Sequence, residues 1–142
     1  MSEAVVVDAS IAVKWFVKED DAQDAFRLLK GAKEIRAPQL LFGEVANALW
    51  KKVRRGDLTP DVGVGALEVL PGYISTVIVA EDLMGRALRL ACAVHHPVYD
   101  CLYVEGARHV ELPLVTADAR LIRKFSSSPY ASFILPLSDW RP

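Results

Sequence analysis

Short apolar runs that end on a carboxylate set the limits on this fold. Val5-Val6-Val7 leads straight into Asp8, and Leu114-Val115-Thr116 leads through Ala117 into Asp118. Continuous apolar runs of this length fit strands buried on both faces, the habit of a parallel sheet covered by helices. The segments between them repeat their apolar residues three and four apart, the helical spacing. That alternation predicts an α/β fold with a central, mainly parallel sheet. With 142 residues, of which 52% are hydrophobic and 25% charged, the chain is expected to form one domain over residues 1–142 with a sizeable core.

The local signals place the elements. Strands are predicted at 4–7, 35–37, 76–79 and 114–116, with a last edge strand at 133–135. Helices are predicted at about 10–17, 20–30, 39–55, 59–70, 81–94, 99–109 and 119–125. Asp20 and Asp21 suit the positive start of the second helix and Gly31 its stop. Gly56 ends the third, and Thr59-Pro60 reads as an N-cap followed by proline in the first turn.

Composition excludes several classes. No apolar run is long enough to span a membrane. Met1-Ser2-Glu3-Ala4 lacks the basic region of a secretory signal, so a cytoplasmic protein is expected. Cys92 and Cys101 both lie in helix-like apolar segments and read as two reduced core thiols. The net charge of −1 argues against a stable nucleic-acid binder. It argues less against an enzyme that holds RNA briefly. The cations also cluster, with Lys51, Lys52, Arg54 and Arg55 at one helix end and Arg120, Arg123 and Lys124 near the C-terminus. Lys51 to Arg55 suit a phosphate backbone or, equally, the solvated negative end of a helix.

Two further acids sit where charge is costly. Glu44 lies on the helix face of Leu41, Val45 and Ala48, and Asp100 lies between Val98-Tyr99 and Cys101-Leu102-Tyr103. Asp8, Asp100 and Asp118 each suit a helix N-cap taken singly. Glu44 has only a reach to solvent as its ordinary explanation. Four like charges in apolar surroundings repel one another unless a cation neutralises them, and oxygen ligands suit a hard divalent metal. The set therefore points to metal-assisted hydrolysis. Ser10 and Thr116 each stand two residues from one of these Asp positions and offer hydroxyls to orient it, or simply bond locally to backbone. Asn47, one turn beyond Glu44, is a candidate support or a solvent-facing amide. His95 and His96 precede Pro97 and read as surface loop residues. Trp15, Trp50 and Trp140 read as packing or interface residues.

The ordered motifs resemble a family. They run from Val7-Asp8-Ala9-Ser10 and Val13-Lys14-Trp15-Phe16, through Ala37-Pro38-Gln39-Leu40-Leu41 and Glu44-Val45-Ala46-Asn47-Ala48-Leu49, to Tyr99-Asp100-Cys101-Leu102-Tyr103 and Val115-Thr116-Ala117-Asp118. This series is similar to PIN domains and, more narrowly, to VapC-type ribonuclease toxins of type II toxin–antitoxin pairs. The resemblance covers nearly the whole chain. It implies a three-layer α/β/α sandwich, Mg²⁺ or Mn²⁺ dependence and endonucleolytic RNA cleavage. It also implies a homodimer and a small antitoxin that inhibits the acidic pocket. Asp8, Glu44, Asp100 and Asp118 match the family's acidic quartet, and Ser10 and Thr116 its supporting hydroxyls. Arg120 and Leu121 stand where some members carry a further acid, so that extra ligand is missing from this chain.

Rival readings fit less well. A phospho-aspartate phosphatase of the haloacid dehalogenase kind wants a second Asp two residues after the first, where Ser10 stands. A receiver module wants paired acids after the first strand and a Lys after a late one. Ala9 follows Asp8, and no Lys follows residues 133–135. A PIN-like binding module without activity is the remaining alternative.

Overall fold

The computed structural model describes residues 4–142, so the reading of Met1, Ser2 and Glu3 falls outside the described residues. Strands β1 (Ala4–Val7), β2 (Glu34–Pro38), β3 (Thr76–Ile78), β4 (Leu114–Thr116) and β5 (Ile134–Pro136) form one sheet. Its order is β3-β2-β1-β4-β5, and every neighbouring pair is parallel. Helices α1 (Ala9–Ala12), α2 (Ala22–Gly31), α3 (Leu40–Arg54), α4 (Pro60–Val69), α5 (Met84–Val94), α6 (Val98–Val110) and α7 (Ala119–Phe125) flank it. The α/β architecture read from the sequence is the one observed.

The strand order decides where a ligand fits. The chain builds outward from β1 in one direction through β2 and β3, then returns to the other side of β1 for β4 and β5. Adjacent connections diverge at β1 and β4, and a crevice opens beyond their carboxyl ends. Val7 pairs with Val115, which leaves Asp8 level with Thr116 at that edge. Val5, Val6, Val7, Leu114 and Val115 are fully buried, as strands covered on both faces require.

Helix α6 is the other organising element. It packs on β1, β2, β4 and α5. Its residues from Cys101 to Ala107 are all buried, so it has no solvent face along nearly two turns. Its polar side chains there, Tyr103 and Glu105, must find partners inside the protein.

Several boundaries depart from the sequence reading. The helix expected over 10–17 is the short α1 followed by a 3-10 turn at Val13–Trp15. That turn buries Trp15, whose indole N–H donates to the Ala25 carbonyl at 3.0 Å. Asp20 and Asp21 lie before α2 rather than in its first turn, and Asp21 takes a left-handed φ of 69°. Gly31 is the last residue of α2, not a stop beyond it. A Cβ there would meet the Trp140 ring at 2.9 Å, so the glycine admits the buried indole. The helix expected from Glu81 opens as a 3-10 turn, with α5 starting at Met84. Cys92 is exposed, against the expectation of a core thiol, because α5 buries the face of Ala87 and Leu90. Cys101 is buried. Trp50 is 54% exposed and carries the Arg54 guanidinium over its ring, whereas Trp15 and Trp140 are core.

Candidate active site

The crevice beyond β1 and β4 gathers the four acids. Asp8 is 5% exposed and follows β1 directly. The Ser10 hydroxyl donates to its Oδ1 at 2.5 Å, and the Thr116 hydroxyl to its Oδ2 at 2.5 Å. Those hydroxyls themselves accept backbone N–H groups, Ser10 from Ala117 at 3.0 Å and Thr116 from Asp118 at 3.0 Å. The backbone after β4 thus occupies a lone pair on each oxygen, which leaves both protons for Asp8. Asp8 occupies the N-cap position of α1 but makes no side-chain capping bond, so its N-cap explanation fails.

Asp118 does cap its helix. Its Oδ1 accepts the N–H groups of Arg120 at 2.9 Å and Leu121 at 3.3 Å, which satisfies the start of α7. Both bonds land on one oxygen. Glu44 projects from α3 half-buried, and Tyr103 of α6 donates to its Oε1 at 2.6 Å. Asp100 is the third residue of α6 and does not cap it. An acid at this position ordinarily reaches back to the N–H of the cap residue. Here that residue is Pro97, which has none. Asp100 bonds instead to His96, whose Nε2 lies 2.6 Å from Oδ2.

The electrostatics tie the four together. Burial pushes the Asp8 carboxyl up to about 6; the Ser10 and Thr116 bonds oppose this, while the charges of Asp118 and Asp100 add to it. Glu44 is raised by burial and by Asp100 and Asp118, against the Tyr103 bond. Tyr103 is raised by burial and by its carboxylate neighbours, so it stays a proton donor.

Other enclosed acids of this protein have cations of their own. Glu105, 2% exposed, lies 3.1 Å from Arg86 and 3.5 Å from Arg108. Glu19 pairs with Lys14 at 3.0 Å and Lys52 at 3.2 Å, and despite burial these two hold its carboxyl below the ordinary value. Among the described residues no Lys or Arg pairs with Asp8, Glu44, Asp100 or Asp118. A cluster that is wholly or partly buried, mutually repelling and without a Lys or Arg calls for a positive charge, and its all-oxygen donor set fits a hard divalent cation. Among the described residues no three acids, histidines or cysteines converge at ligand distance as they stand. Each of the four is held on its own partner at the rim of the crevice.

A PIN-domain family model matches residues 5–125 of the chain. The chain belongs to the PIN-domain family. This PIN domain is 35% identical over 123 residues to Ribonuclease VapC3 of Pyrobaculum aerophilum, across 85% of its own length and 94% of that relative's. It is 33% identical over 126 residues to Ribonuclease VapC3 of Mycobacterium tuberculosis, covering 89% and 90% of the two chains. Ribonuclease VapC1 of the same organism is 30% identical over 118 residues, covering 82% and 86%. These relatives set the chain in the VapC-type branch of the family. The crystal structure of PAE2754 from Pyrobaculum aerophilum shares the fold with a TM-score of 0.72 at 23% identity, over 96% of this chain and 85% of that one.

The remaining sequence candidates divide. Ser10 and Thr116 stand on Asp8. Asn47 is exposed and makes no hydrogen bond to the acids, although it lines a groove beside Glu44. His95 is exposed at a left-handed φ of 55°. His96 corrects the reading of both histidines as surface residues: its side chain is 7% exposed and bonds Asp100. The overlooked signal was Pro97, which strips the cap N–H and leaves Asp100 free for another donor. Tyr103 had no role assigned either. A phenol inside a fully buried helix needs an acceptor, and Glu44 is the acid within its reach.

Replacing Tyr103 by Phe removes the 2.6 Å bond and little else. The expected loss is about 1.5 kcal/mol in urea unfolding of the metal-free protein, the low end for a bond to a charged group because Glu44 is only half-buried. In a Glu44→Gln background the same change is expected to cost less. An equal loss in both backgrounds would show that the charge of Glu44 adds nothing to the bond, since the Gln carbonyl still accepts the phenol O–H.

Proposed function

We propose that this PIN domain is a metal-dependent endoribonuclease of the VapC toxin kind. It hydrolyses RNA phosphodiesters in the cytoplasm as a homodimer and is held in check by a small cognate antitoxin. One observation carries the reading. The four acids lie at the carboxyl edge of the sheet, and among the described residues no Lys or Arg pairs with them, while the other enclosed acids Glu105 and Glu19 have cations. Relatives named ribonucleases support the reaction class.

In this reading Asp8, Asp100 and Asp118 hold one or two Mg²⁺ or Mn²⁺ ions, and Glu44 completes the ligand set or orients the attacking water. A bound ion of this type lowers the pKa of water and offsets charge on the scissile phosphate. Ser10 and Thr116 keep the Asp8 carboxylate fixed with both oxygens hydrogen-bonded. Tyr103 anchors Glu44, and the cap bonds of α7 anchor Asp118. Without a cation the acids repel an anionic substrate, so the metal-free protein is expected to be inactive. A groove of about 590 Å³ runs along α3 from Glu44 and Asn47 to Lys51, Lys52 and Arg55, with Tyr99 on its wall. Its basic end suits an RNA backbone arriving at the acids. Lys52 is already committed to Glu19, which leaves Lys51 and Arg55 for phosphate.

The test is cleavage of a mixed RNA pool with Mn²⁺ or Mg²⁺, with and without EDTA, beside Asp100→Asn. Cleavage that requires metal and vanishes in the variant is the expected result. Equal cleavage by the variant would overturn the site. Binding of RNA without cleavage, by folded metal-loaded protein, would favour a binding module. No small open reading frame beside the gene would count against the antitoxin.

A further inference from the structure

We propose that His96 is a positioning residue that holds the Asp100 carboxylate ready for the divalent ion. This rests on the metal-dependent reading above. Asp8, Asp118 and Glu44 are fixed by hydroxyls, by helix N–H groups and by a phenol, respectively. Among the described residues the one hydrogen bond to the Asp100 carboxylate comes from His96. The Asp100 side chain is 26% exposed, so without that bond it is free to turn to solvent. Pro97 removes the capping interaction that would otherwise draw the acid back along the chain.

His96 is itself built in. The left-handed His95 closes α5, and the His96 N–H donates to the Ala91 carbonyl at 3.3 Å. The His96 carbonyl accepts the Cys101 thiol at 3.9 Å. The ring meets Phe125 edge-on, with centroids 5.9 Å apart, and Phe125 is fully buried. The imidazole therefore has one orientation, set by the α5–α6 turn and the last helix. An acid held by a buried, packed donor loses little further freedom when it takes a metal.

Titration of Mn²⁺ into metal-free wild type, His96→Leu, His96→Gln and Asp100→Asn by calorimetry tests this, with thermal unfolding of each metal-free protein alongside. Leu keeps the contact with Phe125 and removes the donor. Gln places an amide N–H at the reach of Nε2. His96→Leu is expected to bind Mn²⁺ about 10- to 100-fold more weakly, the usual cost of losing such a partner. Its metal-free melting point should stay near the wild type, and His96→Gln should restore most of the affinity. In RNA cleavage the Leu variant should need more Mn²⁺ yet approach the wild-type kcat at saturation. If Leu melts early, His96→Asn, polar but too short to reach Oδ2, replaces it. Wild-type Mn²⁺ affinity in His96→Leu, with Asp100→Asn defective, would overturn the role of His96 alone. So would a Gln variant as weak as Leu. Unchanged binding in Asp100→Asn would overturn the metal site itself, and this proposal with it.

Discussion

An Asp8→Asn protein will cleave RNA roughly a thousandfold or more slowly than the wild type at saturating Mn²⁺. A catalytic metal contributes several kcal/mol of charge stabilisation in the transition state, and each 1.36 kcal/mol is tenfold in rate. Asp8 is the most enclosed of the four acids, so solvent has little access to replace it. Asn has the same shape. Its oxygen still accepts from Ser10, and its amide N–H can donate to the Thr116 hydroxyl, which has a second lone pair beyond the one given to the Asp118 N–H. The fold should therefore survive, as circular dichroism will show. Single-turnover cleavage of a labelled RNA checks the rate. A loss of less than tenfold would mean that the reaction does not run through Asp8.

The same substitution will stabilise the metal-free protein above pH 6. The Asp8 carboxyl has its folded pKa raised from 3.8 to about 6, chiefly by burial. Between those values the folded chain binds a proton that the unfolded chain has released. Stability therefore falls as pH rises through this window and stays lower above it. The size is on the order of 3 kcal/mol, from about two units at 1.36 kcal/mol each. Glu44, raised for the same first reason, acts in the same direction. Glu19, held low by its lysines, acts oppositely and only as pH falls below its ordinary range. The difference between wild type and Asp8→Asn isolates the Asp8 share. Denaturant midpoints from pH 4 to 7.5 should show the two proteins alike at the acid end and Asn ahead at the neutral end. Millimolar Mn²⁺ should raise the neutral wild type and leave Asn behind, since a ligand stabilises only the protein that binds it. Parallel curves would mean that an ionised Asp8 carries no cost in the fold.

Much of this was open to a reader of the residues alone. Val5-Val6-Val7 and Leu114-Val115-Thr116 are buried parallel strands because continuous aliphatic runs have no wet face, and Thr59-Pro60 starts α4 because cap chemistry is local. The suspicion about Asp8, Glu44, Asp100 and Asp118 was also local, since each sits where an unpaired charge is costly. Sequence spacing carries no information on who else stands nearby. Parallel pairing brings residues 108 apart together at Asp8 and Thr116, and α6 carries Tyr103 to a glutamate 59 positions away. Gly31 looked like a helix stop until Trp140 arrived against it from the far end of the chain. His96 looked like loop until the left-handed turn at His95 aimed its ring inward, onto Phe125 and Asp100. Strand, helix and cap depend on a few neighbours along the chain, so the sequence determined them. Which donor meets which carboxylate depends on contacts closed across the sheet, and only the tertiary structure decided that.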